Sequence, residues 1–196
     1  MDDIKSAFEI AMEKVDKIGK ASDEERRQWK YTPEGEKLGA RFLRDEFDLV
    51  EEINKFDANA VKYVISGAIT TLSRNIAIPK TELIKKTNKR AMDGIKLLKK
   101  DKVKVENIYS QIRRLFNHYN EQGEQQRKQA YQQVKAAFEA KVQQAIQQQM
   151  GTSAGVKIDV EKQPQFQEEW RKVQNQLDGQ YLQLLEGFIK ELLAIA

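Results

Sequence analysis

The chain of 196 residues has one histidine and no cysteine. A Ser-His-Asp triad needs a histidine oriented by a carboxylate, and a catalytic zinc site needs three protein ligands. Of the positions three or four residues from His118, only Glu121 is acidic, and its phase is poor. His118 therefore reads as a surface histidine. Asp45, Glu46, Asp48, Glu51 and Glu52 crowd together. Carboxylate-bridged metal sites in helical bundles also need Glu-x-x-His pairs, and there are none. Neither a G-x-G-x-x-G nor a G-x-x-x-x-G-K-[ST] phosphate loop is present. These residues lead us to expect no enzyme, no metal and no cofactor.

Charge is the other chemistry on offer. The net charge of +4 is unevenly spread. Residues 1–60 sum to −5, residues 61–116 to +10 and residues 117–196 to −1. The candidate polyanion-binding residues are Lys85, Lys86, Lys89, Arg90, Lys96, Lys99, Lys100, Arg113 and Arg114. They could contact phosphates. Single-strand binding also needs aromatic platforms, and the ridge itself supplies none in sequence. The basic segment could meet an anionic partner or the acidic N-terminal block of its own chain. The second is the simpler expectation, so nucleic acid is a possible but not a favoured partner.

What must position these residues is helical. Three prolines and ten glycines in 196 residues leave long stretches unbroken. An all-β chain would need more turn residues. The N-terminus has no basic start followed by an apolar run, and no segment reaches the ~20 apolar residues of a spanning helix. With the lack of cysteine, this gives the expectation of a soluble, cytoplasmic chain without a membrane partner.

Ile4, Phe8, Ala11, Val15 and Ile18 predict a helix over 3–19. Ser22 and Glu25 predict a capping box, and Thr32-Pro33 a second helix start running to about Phe56. Asp57 should cap a central, mostly buried helix over 58–76. A basic helix over 81–100 follows Pro79. Another begins after Asp101, its apolar face formed by Val105, Ile108, Ile112, Leu115, Phe116 and Tyr119. From Asn120 to Met150 only Gly123 opposes continuation, and glutamine is abundant. Tyr131, Val134, Phe138, Val142 and Ala145 punctuate this tract at helical spacing. Residues 151–155 read as a loop and 156–160 as a short strand, and Pro164 opens the last helix.

That last helix carries an eleven-residue repeat. Phe166, Leu177 and Phe188 form one column, Trp170, Tyr181 and Leu192 a second, and Val173, Leu184 and Ile195 a third. The period, about 3.67 residues per turn, gives a nearly straight stripe. The expected fold is all-α. An N-terminal helical bundle over 1–102 precedes a long, coiled-coil-like antiparallel hairpin over 103–196, with a tip loop near 151–162. A turn centred near residue 156 would set Tyr181 opposite Gln132 and the apolar C-terminal end opposite a polar stretch. That end would then need the N-terminal bundle or a second chain to cover it. Leu184, Leu185, Phe188, Ile189, Leu192, Leu193 and Ile195 are thus candidate self-association residues.

The stretch Ala7-Phe8-Glu9-Ile10-Ala11 through Trp29-Lys30-Tyr31-x-Pro33-Glu34-Gly35-Glu36 resembles the start of an uncharacterised family of bacterial helical proteins. The resemblance covers about the first fifth of the chain and implies no activity. Together these readings predict a non-enzymatic interaction or scaffold protein, acting as a homo-oligomer or with a protein partner. The alternatives are a polyanion binder using residues 80–116 and a helical holdase-type chaperone.

Overall fold

The computed structural model describes residues 21–150 and 159–195. Its described elements are α1 (Asp23–Arg44), α2 (Leu49–Asn54), α3 (Ala58–Arg74), α4 (Glu82–Leu98), α5 (Lys102–Asn120), α6 (Gln122–Met150), a 3-10 turn (Val160–Lys162) and α7 (Pro164–Ala194). The protein is all-α, with no strand among the described residues. The expected helix over 3–19 and the loop over 151–155 lie outside them.

The chain divides into two compact units. The first holds the described residues up to Ile76, with Lys86–Lys102 and Ile195. The second holds Ala77–Lys85 and Val103–Ala194. The linker after α3 thus belongs with the C-terminal unit, and the last described residue with the N-terminal one.

In the first unit, the capping box forms as the sequence predicts. The Ser22 hydroxyl accepts from the Glu25 amide at 3.2 Å, and the Ser22 amide donates to the Glu25 carboxylate at 2.8 Å. Thr32-Pro33 does not start a helix, because α1 runs through Pro33. Proline costs a hydrogen bond in a helix interior. Here Pro33 faces solvent, where water can satisfy the freed carbonyl. On the opposite face, α1 packs closely against α3. A Cβ at Gly35 would sit 1.9 Å from the Val64 carbonyl oxygen, and one at Gly67 would sit 2.1 Å from that of Thr32. Only hydrogen in place of a side chain permits backbones this close.

The expected helix to Phe56 is also corrected. α1 stops at Arg44, and α2 begins anew behind Asp48, whose carboxylate accepts from the Val50 and Glu51 amides. An unbroken helix would have aligned several carboxylates at repulsive spacing near a negative helix end. Asp48 instead caps a fresh N-terminus, where negative charge is favoured. α3 is the central helix. Val64, Ala68 and Leu72 are fully buried, and Asp57 takes its N-cap position without a side-chain cap bond.

In the second unit, the α5 stripe is buried at Val105, Ile108, Ile112, Leu115 and Tyr119. The helix does not run unbroken into α6. Glu121 interrupts the helical assignment, although Glu121 still donates to Asn117 and Gln125 to Glu121 along the backbone. Gly123, buried just beyond, admits the Tyr181 hydroxyl, which would lie 2.9 Å from a Cβ there.

α6 and α7 run antiparallel. Tyr131 meets Phe166 and Trp170 edge-on at 5.7 and 5.1 Å, Phe138 meets Phe166 at 5.7 Å, and Arg127 lies 4.0 Å from Asp178. This register corrects the expected one. Tyr181 pairs with His118 and Tyr119, not with the region of Gln132. The physical reason is burial. The shift brings the apolar end of α7 alongside the apolar stripe of α5 and leaves the glutamines of α6 in water. Val160, expected in a strand, is buried in the 3-10 turn.

Candidate binding groove and its buried polar support

Two grooves hold some of the side chains singled out by the sequence. The first, in the N-terminal unit, has a volume of about 470 Å³ and is lined by Phe42, Glu46, Phe47, Lys86, Lys89, Arg90 and Asp93. Phe42 and Phe47 meet edge-on at 6.0 Å. The Arg41 guanidinium sits 4.5 Å from the Phe47 ring centroid and that of Arg90 sits 4.9 Å from Phe42. Arg90 also donates to the carbonyls of Phe42 and Asp45, closing the C-terminal end of α1. Aromatic rings thus stand beside the basic ridge, brought there from over forty residues away, which no local spacing could reveal. Glu46 and Asp93 line the same groove and offset much of its positive charge.

The remaining basic candidates scatter. Lys85 pairs with Glu82 at 2.6 Å, and Arg113 with Glu106. Lys96 and Lys100 are exposed on α4 and just beyond it. Lys99 turns inward, 8% exposed, and donates to the Ile195 carbonyl, which takes it off the outer ridge. Burial lowers its ammonium pKa from the ordinary lysine value. Among the described residues, Glu24 of the acidic first block pairs with Lys62 of the basic second at 2.7 Å. The Lys62 ammonium and the Tyr63 hydroxyl both hydrogen-bond Glu24 and lower its pKa.

The second groove lies between α5 and α7, closed at one end by α6. Its volume is about 460 Å³, and it is lined by Gln111, Arg114, Leu115, His118, Gln126, Gln180, Tyr181, Leu184 and Phe188. His118 of α5 and Tyr181 of α7 meet across it, with ring centroids 5.8 Å apart. The floor there is a hydrogen bond of 2.9 Å between His118 Nδ1 and the Tyr181 hydroxyl.

Behind Tyr181 stands a buried polar cluster. The Tyr181 ring meets Tyr119 edge-on at 5.1 Å. Burial first, and the Asp178 carboxylate next, push the Tyr119 phenol up to about 12. Asp178 is 5% exposed and pairs with Lys80 at 2.6 Å. The Arg127 guanidinium lies over the Tyr119 ring at 4.0 Å and donates to the Tyr119 carbonyl at 3.2 Å. Its Nη1 and Asp178 Oδ1 face each other at 4.0 Å as an ion pair without a hydrogen bond. Asp178 and Arg127 were not singled out in the sequence. The available signal was an aspartate at a position where the apolar stripe of α7 turns inward.

The self-association candidates divide by side. Leu185 and Leu192 are buried at 3% and 0% within the fold. Leu184 and Leu193 are exposed, and Phe188, Ile189 and Ile195 are half-buried. The third column of the repeat therefore opens to solvent at Leu184, and Leu185 takes the inward place.

Helices alone, carrying a groove and no cluster of metal-ligating side chains among the described residues, define an all-α helical protein. No helix among those residues is long and apolar enough to cross a membrane. The chain belongs to a family of unknown function, DUF6657, which matches residues 50–194. No curated protein and no solved structure matches it. The uncharacterised family expected from residues 7–36 is thus reached through the remainder of the chain.

Proposed function

We propose that the protein is a non-enzymatic interaction protein that pairs with a second copy of itself through α7. The observation that carries the reading is an apolar row on the solvent side of that helix. Leu182 is 53% exposed and Leu193 41%, with half-buried Ile189 between them. Spacings of seven and four residues keep the three on one helical face. Glu186 and Lys190, a 2.7 Å pair, flank the row. The row is self-complementary. In an antiparallel pair with its two-fold axis near residue 187, Leu182 meets Leu193 of the partner subunit at both ends, and Glu186 meets Lys190 of the partner subunit twice along one flank. A closed two-fold dimer needs this kind of matching.

Size-exclusion chromatography with light scattering tests it. The wild-type chain should run at twice its 22.7 kDa mass. Leu182→Lys with Leu193→Lys, both at exposed positions, should run as a monomer with unchanged helical circular dichroism. A wild-type monomer at high micromolar concentration would overturn the reading, as would a dimer indifferent to the two lysines.

A further inference from the structure

The second groove lies on the opposite flank of α7 from the proposed pairing row, and it has a chemistry of its own. Its lining is mixed: Arg114, His118 and the amides of Gln111, Gln126 and Gln180 stand beside Leu115, Leu184 and Phe188. No carboxylate lines it. Arg114 and His118 sit four residues apart on α5, so they share one face of it, a turn apart. The hydrogen bond to Tyr181 occupies His118 Nδ1 and leaves the other ring nitrogen to meet a ligand. Tyr181 is 7% exposed and held against Tyr119, so this part of the groove is preformed. From Gln111 to His118 the groove is about 10 Å long at 1.5 Å per residue.

We infer that this groove binds a small amphipathic carboxylate, its anionic head on Arg114 and His118 and its apolar tail along Leu115, Leu184 and Phe188. One guanidinium offers a planar fork that matches a carboxylate in bidentate fashion. The other polar groups of the lining are neutral amides, which suit a single negative charge better than a doubly charged phosphate. The volume falls in the range of small-molecule sites, and the length suits a medium-chain acyl or an aryl group. The inference goes beyond self-association and does not depend on it.

Isothermal titration calorimetry with octanoate tests it on the full chain, and again on the Leu182→Lys, Leu193→Lys variant so that pairing and ligand binding are read separately. Octanoate should bind, with acetate and inorganic phosphate at least tenfold weaker and octylamine not detectable. Arg114→Gln and Leu184→Gln, both at exposed positions, should each weaken octanoate at least fivefold without changing the melting temperature. Octylamine binding as tightly as octanoate would reveal only an apolar patch and overturn the inference. So would phosphate binding as tightly, octanoate binding that ignores Arg114→Gln, or no octanoate binding at millimolar concentration.

Discussion

His118 reads in the sequence as a surface histidine, and it is exposed. Its hydrogen bond to Tyr181 spans 63 residues, which no local spacing can disclose. The same holds for Asp178, whose partners Lys80 and Arg127 come from two other segments. Tyr119 makes the cost of this buried polar cluster measurable. Its phenol is raised from 10.0 to about 12, burial being the first cause. Below pH 10 the phenol is protonated in both states and adds no slope. Between about 10 and 12 the unfolded chain releases a proton that the folded chain keeps. Stability should therefore fall as pH rises through this window, by ~2–3 kcal/mol at most. Urea denaturation of wild type and Tyr119→Phe from pH 9 to 11.5 checks it, because the variant should lose that part of the alkaline decline. Parallel alkaline limbs would contradict the assignment.

Helices were legible where the signal was local. The capping box at Ser22, the stop before Pro79 and the stripe of α5 follow from spacing alone. The reading went wrong where a local rule met a tertiary one. Pro33 has the chemistry of a helix start, yet the backbone contacts of Gly35 and Gly67 carry α1 through it. Across the acidic run at 45–52 the apolar residues keep helical phase, but Asp48 breaks the helix by capping a new one. The register of α7 does not follow from a turn midway between the helices; it follows from matching Tyr181, Leu185 and Leu192 to the α5 stripe. Pro33 also gives a prediction at this scale. An interior proline costs about 3 kcal/mol against alanine, and the site is exposed. Pro33→Ala should raise stability by roughly 1–3 kcal/mol, seen as a higher urea midpoint at unchanged slope. A lowered midpoint would mean that Pro33 shapes α1 in a way its exposure does not reveal.

Across the whole molecule, the charge blocks were visible in the sequence but their partners were not. Among the described residues Glu24 of the acidic block pairs with Lys62 of the basic one, and Glu46 lines the groove of Lys86 and Lys89. Lys80, also of the basic block, pairs instead with Asp178 in the C-terminal unit. The break after residue 102 falls inside the basic block of 61–116, so the charge pattern does not mark it. The place of 77–85 in the second unit is not legible either, because Pro79 only marks where a helix stops and says nothing about which core the linker joins. Ile78 is 4% exposed, so this linker is itself part of a core.

The glycine contact between α1 and α3 has a consequence for how the chain folds in time. Gly35 and Val64 touch across fewer than thirty residues, whereas the His118–Tyr181 contact must close a loop of more than sixty. Shorter loops lose less entropy on closure and form sooner. With its capping box to nucleate α1, the α1–α3 pair should assemble before α7 docks. Gly39 is the place to probe it, since a Cβ there would come 2.9 Å from the Ala68 carbonyl oxygen, a milder clash than at Gly35. In stopped-flow refolding, Gly39→Ala should slow folding and leave the unfolding rate nearly unchanged, the signature of a contact already made at the transition state. If it chiefly speeds unfolding, the order is reversed and the helix pair locks last.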